Sequence, residues 1–240
     1  MKLTALAAFA ALAFAAPATA ATTIDFTSAT NSSTNGSPDG NTRIFTVGGL
    51  SVTASAWSLN SGTLQNGWLG QYTHGLGVTN QGEDGSNNSH VVDNSGYQDF
   101  IILVFNQAVN VQSAILYPFS VGGSTDNDAW VSYGTAAAFN STTLTDLLTR
   151  DYNVPGSGSS PYNVSLNSAG QFGNVWLIGA WNPDAPNRGT IDRYVDGFKL
   201  ASISVNAAVP EPTTWAMMLL GFGAIGFSIR RRSALLPAAA

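Results

Sequence analysis

Six carboxylates in this sequence have the chemistry to hold a hard cation. Glu83, Asp84, Asp93 and Asp99 fall in one loop-to-strand stretch with Asn94, and Asp126 and Asp128 in another. Oxygen ligands on glycine-rich loops suit Ca²⁺, which takes six to eight of them. Glu83, Asp84, Asp93, Asp126 and Asp128 are therefore the candidate calcium ligands. One site would close if the loop before Phe100 and the loop after Phe119 meet at the same end of the fold. The stretch Asp126-Asn127-Asp128 lacks the Gly and Glu of an EF-hand loop. The plainer alternative is turn chemistry, in which Asp and Asn side chains cap nearby backbone donors.

A second set is aromatic. Trp57, Trp68, Tyr72, Tyr97, Tyr117, Trp130, Tyr133, Trp176 and Trp181 are many large rings for a chain of 240 residues. Sugars stack their C–H faces on such rings while Asn, Asp and Gln hold their hydroxyls. Trp68 and Tyr72 lie among glycines and polar residues and are the candidate carbohydrate platforms. Trp176, inside Val175-Trp176-Leu177-Ile178, reads as core. Catalytic chemistry has little to work with. His74 and His90 are the only histidines, and no nucleophile elbow, HExxH or phosphate-binding loop is present. The chain is expected not to be an enzyme. The alternative is a secreted glycoside hydrolase, which needs only two carboxylates.

Charge and composition narrow the partners. Between residues 21 and 208 stand five basic residues, Arg43, Arg150, Arg188, Arg193 and Lys199, against thirteen acidic ones. That excess repels nucleic acid and favours cations. Cysteine is absent, so neither a disulfide nor a thiolate metal site exists.

The elements that must position these groups read as strands. Thr22–Thr27 alternates around Ile24 and Phe26, and Arg43–Val47 with Leu50–Ala56 flank Gly48-Gly49 as a hairpin. Asp99–Phe105 is apolar on both faces and suits a central, doubly covered strand. After a turn at Asn106-Gln107 come Val109–Phe119, Ala129–Tyr133, Tyr162–Leu166, Asn174–Trp181 and Tyr194–Val205. Only Thr143–Thr149 looks helical. Many short strands with almost no helix predict an all-β fold, an antiparallel two-sheet sandwich of jelly-roll-like order.

Both ends carry addressing features. Lys2, the apolar Leu3–Ala16 and the small-x-small Ala18-Thr19-Ala20 read as a signal peptide over residues 1–20, for the Sec translocon and signal peptidase. The other end reads Val209-Pro210-Glu211-Pro212-Thr213-Thr214-Trp215, then an apolar run to Ile229, then Arg230-Arg231-Arg232. Prolines remove donors and restrict their neighbours, so the tripeptide is a stiff, accessible segment. The run from Trp215 to Ile229 would be ~22 Å as a helix, short against a hydrocarbon core of ~30 Å. It suits a transient transmembrane helix, with the arginines and residues 233–240 on the cytoplasmic side.

Pro210-Glu211-Pro212, Trp215-Ala216-Met217-Met218-Leu219, Gly221-Phe222-Gly223 and the arginine triplet together resemble the PEP-CTERM sorting signal of Gram-negative bacteria. The resemblance implies processing by an exosortase, with Pro210, Glu211 and Pro212 as the recognised residues. It also implies export to the cell surface or extracellular matrix. Gly75–Asn80, Gly82-Glu83-Asp84, His90–Asn94, Asp99-Phe100-Ile101, Ser124–Asp128 and Tyr194–Lys199 resemble the body of the XDP1-type exosortase-dependent surface proteins, a group defined by sorting. The expectation is an exported β-domain over 21–208, structural or carbohydrate-binding. Its partners would be exosortase and exopolysaccharide, with Ca²⁺ as support in a matrix or biofilm.

Overall fold

The computed structural model describes residues 21–27, 42–83, 89–137, 139–140, 144–145, 152–156, 158, 160–167, 170–183, 194–207 and 212–233. Its strands are β1 (Thr22–Asp25), β2 (Thr42–Val47), β3 (Leu50–Asn60), β4 (Thr63–Asn66), β5 (Trp68–Tyr72), β6 (Gly75–Thr79) and β7 (Val92–Asp93). They continue with β8 (Gln98–Val121), β9 (Ser124–Asp126), β10 (Ala129–Gly134), β11 (Tyr152–Val154), β12 (Tyr162–Ser165), β13 (Gly173–Ala180) and β14 (Gly197–Ala207). Every pairing among them is antiparallel. The expected all-β antiparallel class holds.

The hairpin at Gly48-Gly49 forms as expected. Val47 pairs with Leu50, and the two glycines take φ of 58° and 84°, values that side chains resist. The turn expected at Asn106-Gln107 does not form. β8 runs through it unbroken, because neither residue supplies a left-handed backbone. Asn106 instead turns its side chain to the β2–β3 turn, accepting from Ser51 N at 3.0 Å and donating to Gly49 O at 3.2 Å. The strand redirects itself by a register slip: Val104 faces Val175, but Val109 faces Gly173.

β8 therefore serves two sets of neighbours. Its first part lies between β3 and β13, and its second part pairs with β14, β12 and β9. In the first part the side chains split by parity, as a pleated strand requires. Ile101, Leu103 and Phe105 join the large core with Val52, Ala54, Leu76, Leu116 and Phe198. Phe100 and Ile102 join a smaller one with Trp130, Val175 and Leu177. The doubly covered strand read from the sequence is thus confirmed.

Of the expected helix at Thr143–Thr149, Leu144 and Thr145 are helical and the rest lies outside the described residues. Residues 20–208 form one compact unit. Helix α1 (Pro212–Ser233) belongs to the other, with Met217, Leu219, Leu220, Phe222 and Phe227 exposed along it. The signal-peptide stretch, Pro210 and Glu211 lie outside the described residues. Pro212 opens α1, where its missing donor costs nothing. The transmembrane helix expected here needs correction: no helix of the described residues is long and apolar enough to cross a membrane. The apolar run is shorter than the helix, whose two ends carry Thr213-Thr214 and the arginine triplet.

Candidate functional site

Two triads of carboxylates are built into the large unit. The first joins Glu83, Asp93 and Asp99, and the second Asp126, Asp128 and Asp196. Within each triad the ligand-type oxygens lie within 4.8 Å of one another. Five of the six acids are buried and Glu83 is half-buried.

Asp99, second residue of β8, is 0 % exposed. Both its oxygens accept from Asn80 Nδ2, at 3.1 and 3.3 Å. Asn80 follows β6, and its own N–H donates to Glu83 Oε2 at 2.9 Å. Asn80 Oδ1 accepts from Gly82 N at 2.9 Å, an Asx turn that holds the loop. Asp93 ends β7 and caps its own turn, accepting from Ser95 N at 2.8 Å. Ser58 of β3 stands directly opposite Asp99, so its side chain shares that face. Ser58 is fully buried, and its hydroxyl has no partner among the described residues.

The second triad is tied to the first through Asn94. Asp196 Oδ2 accepts from Asn94 Nδ2 at 2.9 Å, and Asp196 N donates to Asn94 Oδ1 at 2.9 Å. Asp196 Oδ1 accepts from Asp128 N at 2.8 Å, and Asp128 accepts from Gly156 N. Asp126 accepts from Asn127 N at 2.7 Å. Most of these acceptors are therefore fixed by backbone or amide donors rather than by cationic side chains.

The electrostatics follow. At an effective dielectric of ~20, two unit charges that close repel by about 3 kcal/mol. Burial raises the Asp93 carboxyl to about 7, the Ser95 amide opposing it. Burial, then Asp128 and Asp126, lifts Asp196 to about 8. Asp99 is pushed well above the usual range by burial and by Asp93 and Glu83. Such groups hold either protons or a cation. An oxygen cage with an amide carbonyl and a hydroxyl nearby fits Ca²⁺ by donor type.

The sequence candidates are thus divided between two places. Glu83 and Asp93 meet, and Asp126 and Asp128 meet, but the single closed site expected from the two loops is replaced by two triads bridged by Asn94. Asp84 lies outside the described residues. Asp196 was missed as a ligand because it lies 68 residues beyond Asp128. The only local signal is an acid placed just before the strand at Gly197.

The aromatic candidates also divide. Trp68 is 7 % exposed and counts among the buried core, so the expected open platform there is corrected. Both faces of β5 are covered at that point, and Leu69 and Gly70 are buried too. Tyr72 is half-buried. Its ring lies 4.7 Å from that of His90 and under the Lys199 ammonium at 3.7 Å.

The fold and the triads define an antiparallel β-domain with two clusters of carboxylates. Residues 208–232 match the PEP-CTERM protein-sorting motif. No curated protein and no solved structure matches the chain, so nothing supports the resemblance of its body to the exosortase-dependent surface proteins. The matched motif makes this an exported chain, sorted at the membrane with exosortase as its processing partner.

Proposed function

We propose that residues 21–208 form a non-catalytic domain of the bacterial cell surface or extracellular matrix that binds exopolysaccharide and is braced by Ca²⁺. The strands are read as a two-layer sandwich, the bend in β8 carrying the chain from one layer to the other. The paired carboxylate triads carry the calcium part. Five of their six acids are buried, and Asn80, Asn94 and backbone amides fix them. The half-buried Tyr72 supports the carbohydrate part.

The hydrolase alternative has weaker support. Its acids must reach a glycosidic oxygen, whereas Asp93, Asp99 and Asp196 are at most 1 % exposed. Melting of the purified protein with CaCl₂ and with chelator tests the calcium reading. A ligand at about 100 times its Kd adds about 2.7 kcal/mol to the folded state, several degrees in midpoint. An unchanged midpoint returns the triads to turn chemistry. Retention of the protein on the host's own exopolysaccharide tests the carbohydrate reading, and absence of retention with and without Ca²⁺ removes it.

A further inference from the structure

The side of β14 facing away from Leu200 and Phe198 carries a constellation of the opposite charge. Lys199 is 3 % exposed, yet among the described residues its ammonium donates to no acceptor. It lies 3.7 Å from the centre of the Tyr72 ring and 4.8 Å from that of Phe119.

The register explains how it gets there. Lys199 stands opposite Tyr117 on β8, and Gly77 of β6 lies against its stem: a Cβ on Gly77 would meet Lys199 Cε at 3.4 Å. Gly77 in turn faces Gly70 of β5, where a Cβ would meet the Tyr72 ring at 2.3 Å. Gly70 thus leaves room for the tyrosine to lie flat, Gly77 makes room for the His90 carbonyl beside the lysine stem, and the lysine lies over the tyrosine ring.

The walls are rings. His74 sits 4.1 Å from Tyr117 and 5.8 Å from Phe119, and His90 lies 4.7 Å from Tyr72. Tyr72, His74, His90, Tyr117 and Phe119 are all half-buried, so each keeps some surface in solvent. Arg43 acts on Tyr72 electrostatically, and Lys199 on His90. In a stretch with an excess of acids, Arg43, Lys199 and His90 gather around Tyr72, and His74 packs on Tyr117 and Phe119 beside them. His90 Nδ1 also has no partner among the described residues.

A cation without a carboxylate partner among the described residues, set among ring faces, is complementary to an anion carried on a flat apolar body. We infer that this face is a subsite for an acidic sugar unit of a polysaccharide, a hexuronate or similar carboxylated ring. The C–H face stacks on the aromatic surface, and the carboxylate is directed to Lys199 with Arg43 at the margin. The inference rests on the carbohydrate reading above and names its ligand class. A nucleic acid or an anionic lipid surface fits less well. Its densely spaced phosphates would meet the domain's excess of negative charge, whereas a sugar carboxylate presents one charge to one subsite.

The test compares polygalacturonate oligomers with the same oligomers after carboxyl reduction, by titration calorimetry on the purified protein. Binding of the acidic form about tenfold or more tighter than the reduced form is expected, as is its fall to the reduced form's level in Lys199→Met. Tyr72→Ala should weaken both forms. Equal binding of acidic and reduced forms by the unmodified protein, or unchanged binding of the acidic form by a folded Lys199→Met, overturns the acidic subsite and leaves the carbohydrate reading standing. Binding of neither form, together with no retention on the host's exopolysaccharide, overturns both.

Discussion

The carboxylate triads and the Lys199 face answer the same problem in opposite ways. Each buries charge, which is costly unless the charge is paired or lost. The triads surround their acids with fixed donors, Asn80 Nδ2, Asn94 Nδ2 and the Ser95 and Asp128 amides. The lysine instead meets π-faces and no acceptor among the described residues. A site for a bare cation needs rigid oxygens at short range. A site for a carboxylate on a sugar needs a charge that a ring can slide over. The two regions lie close in sequence at the start of β14, with Asp196 just before the strand and Lys199 beyond Gly197-Phe198.

The largest expected contrast is in pH dependence. Asp93 and Asp196 titrate near 7 and 8 in the folded chain against an ordinary value of 3.8. The folded state therefore keeps protons that the unfolded state gives up above pH 4. Stability in chelator should fall as pH rises from about 4 to about 8. The upper bound is several kcal/mol, since each pH unit between the folded and unfolded titration points is worth about 1.4 kcal/mol. Ca²⁺ should remove most of that slope, since the bound ion replaces the protons. Melting curves from pH 5 to 8 in chelator would contradict this if they were flat.

Next in size is the neutral replacement of one acid in each triad. Asp99→Asn and Asp196→Asn relieve buried repulsion, so stability in chelator at pH 8 should hold or rise. The gain from Ca²⁺ should drop by about 2 kcal/mol or more for each site, as ligand charge is lost. A full calcium shift in the double variant would remove both triads as sites.

Lys199→Met should act in the same sense on the free protein, since it too removes a buried charge. Burial lowers Lys199 to about 8, so its ammonium costs stability below that pH. Its replacement by an apolar chain of similar length should raise the midpoint, by about 1 kcal/mol. A marked fall would mean that an anionic partner already holds the lysine.

The smallest effect belongs to Gly70→Ala. Its new methyl would displace the Tyr72 ring, a flexible side chain that can swing, so the midpoint should change by less than about 1 kcal/mol. Retention of acidic glycan should nevertheless fall. Unaltered retention would show that the flat tyrosine is not part of the subsite.

Much of the fold was legible because local rules and tertiary demands agree. Phe100–Phe105 is apolar on both faces because two cores lie against it. Gly48-Gly49 makes its hairpin because nothing else takes that backbone so cheaply. The short strands β4, β5, β6, β7, β9 and β11 were not read. β5 and β6 are broken by glycine, as in Trp68-Leu69-Gly70 and Gly75-Leu76-Gly77, the others are two to four residues long, and all get their order from neighbouring strands. Asn106-Gln107 looked like a turn because it is polar, but both residues are exposed on a continuous strand and the Asn106 amide serves the neighbouring β2–β3 turn.

The sequence alone determined the export address, the antiparallel β class and the supply of acids and rings, since these depend on composition, short spacing and period. Only the tertiary structure decided which acids meet. Asp196 joins Asp128 and Asn94 through pairings of β14 with β7 and β8, and long-range pairing leaves no mark in local spacing. The same holds for Lys199, which reaches Tyr72 because β6 sets β14 and β5 side by side and Gly70 leaves room for the ring.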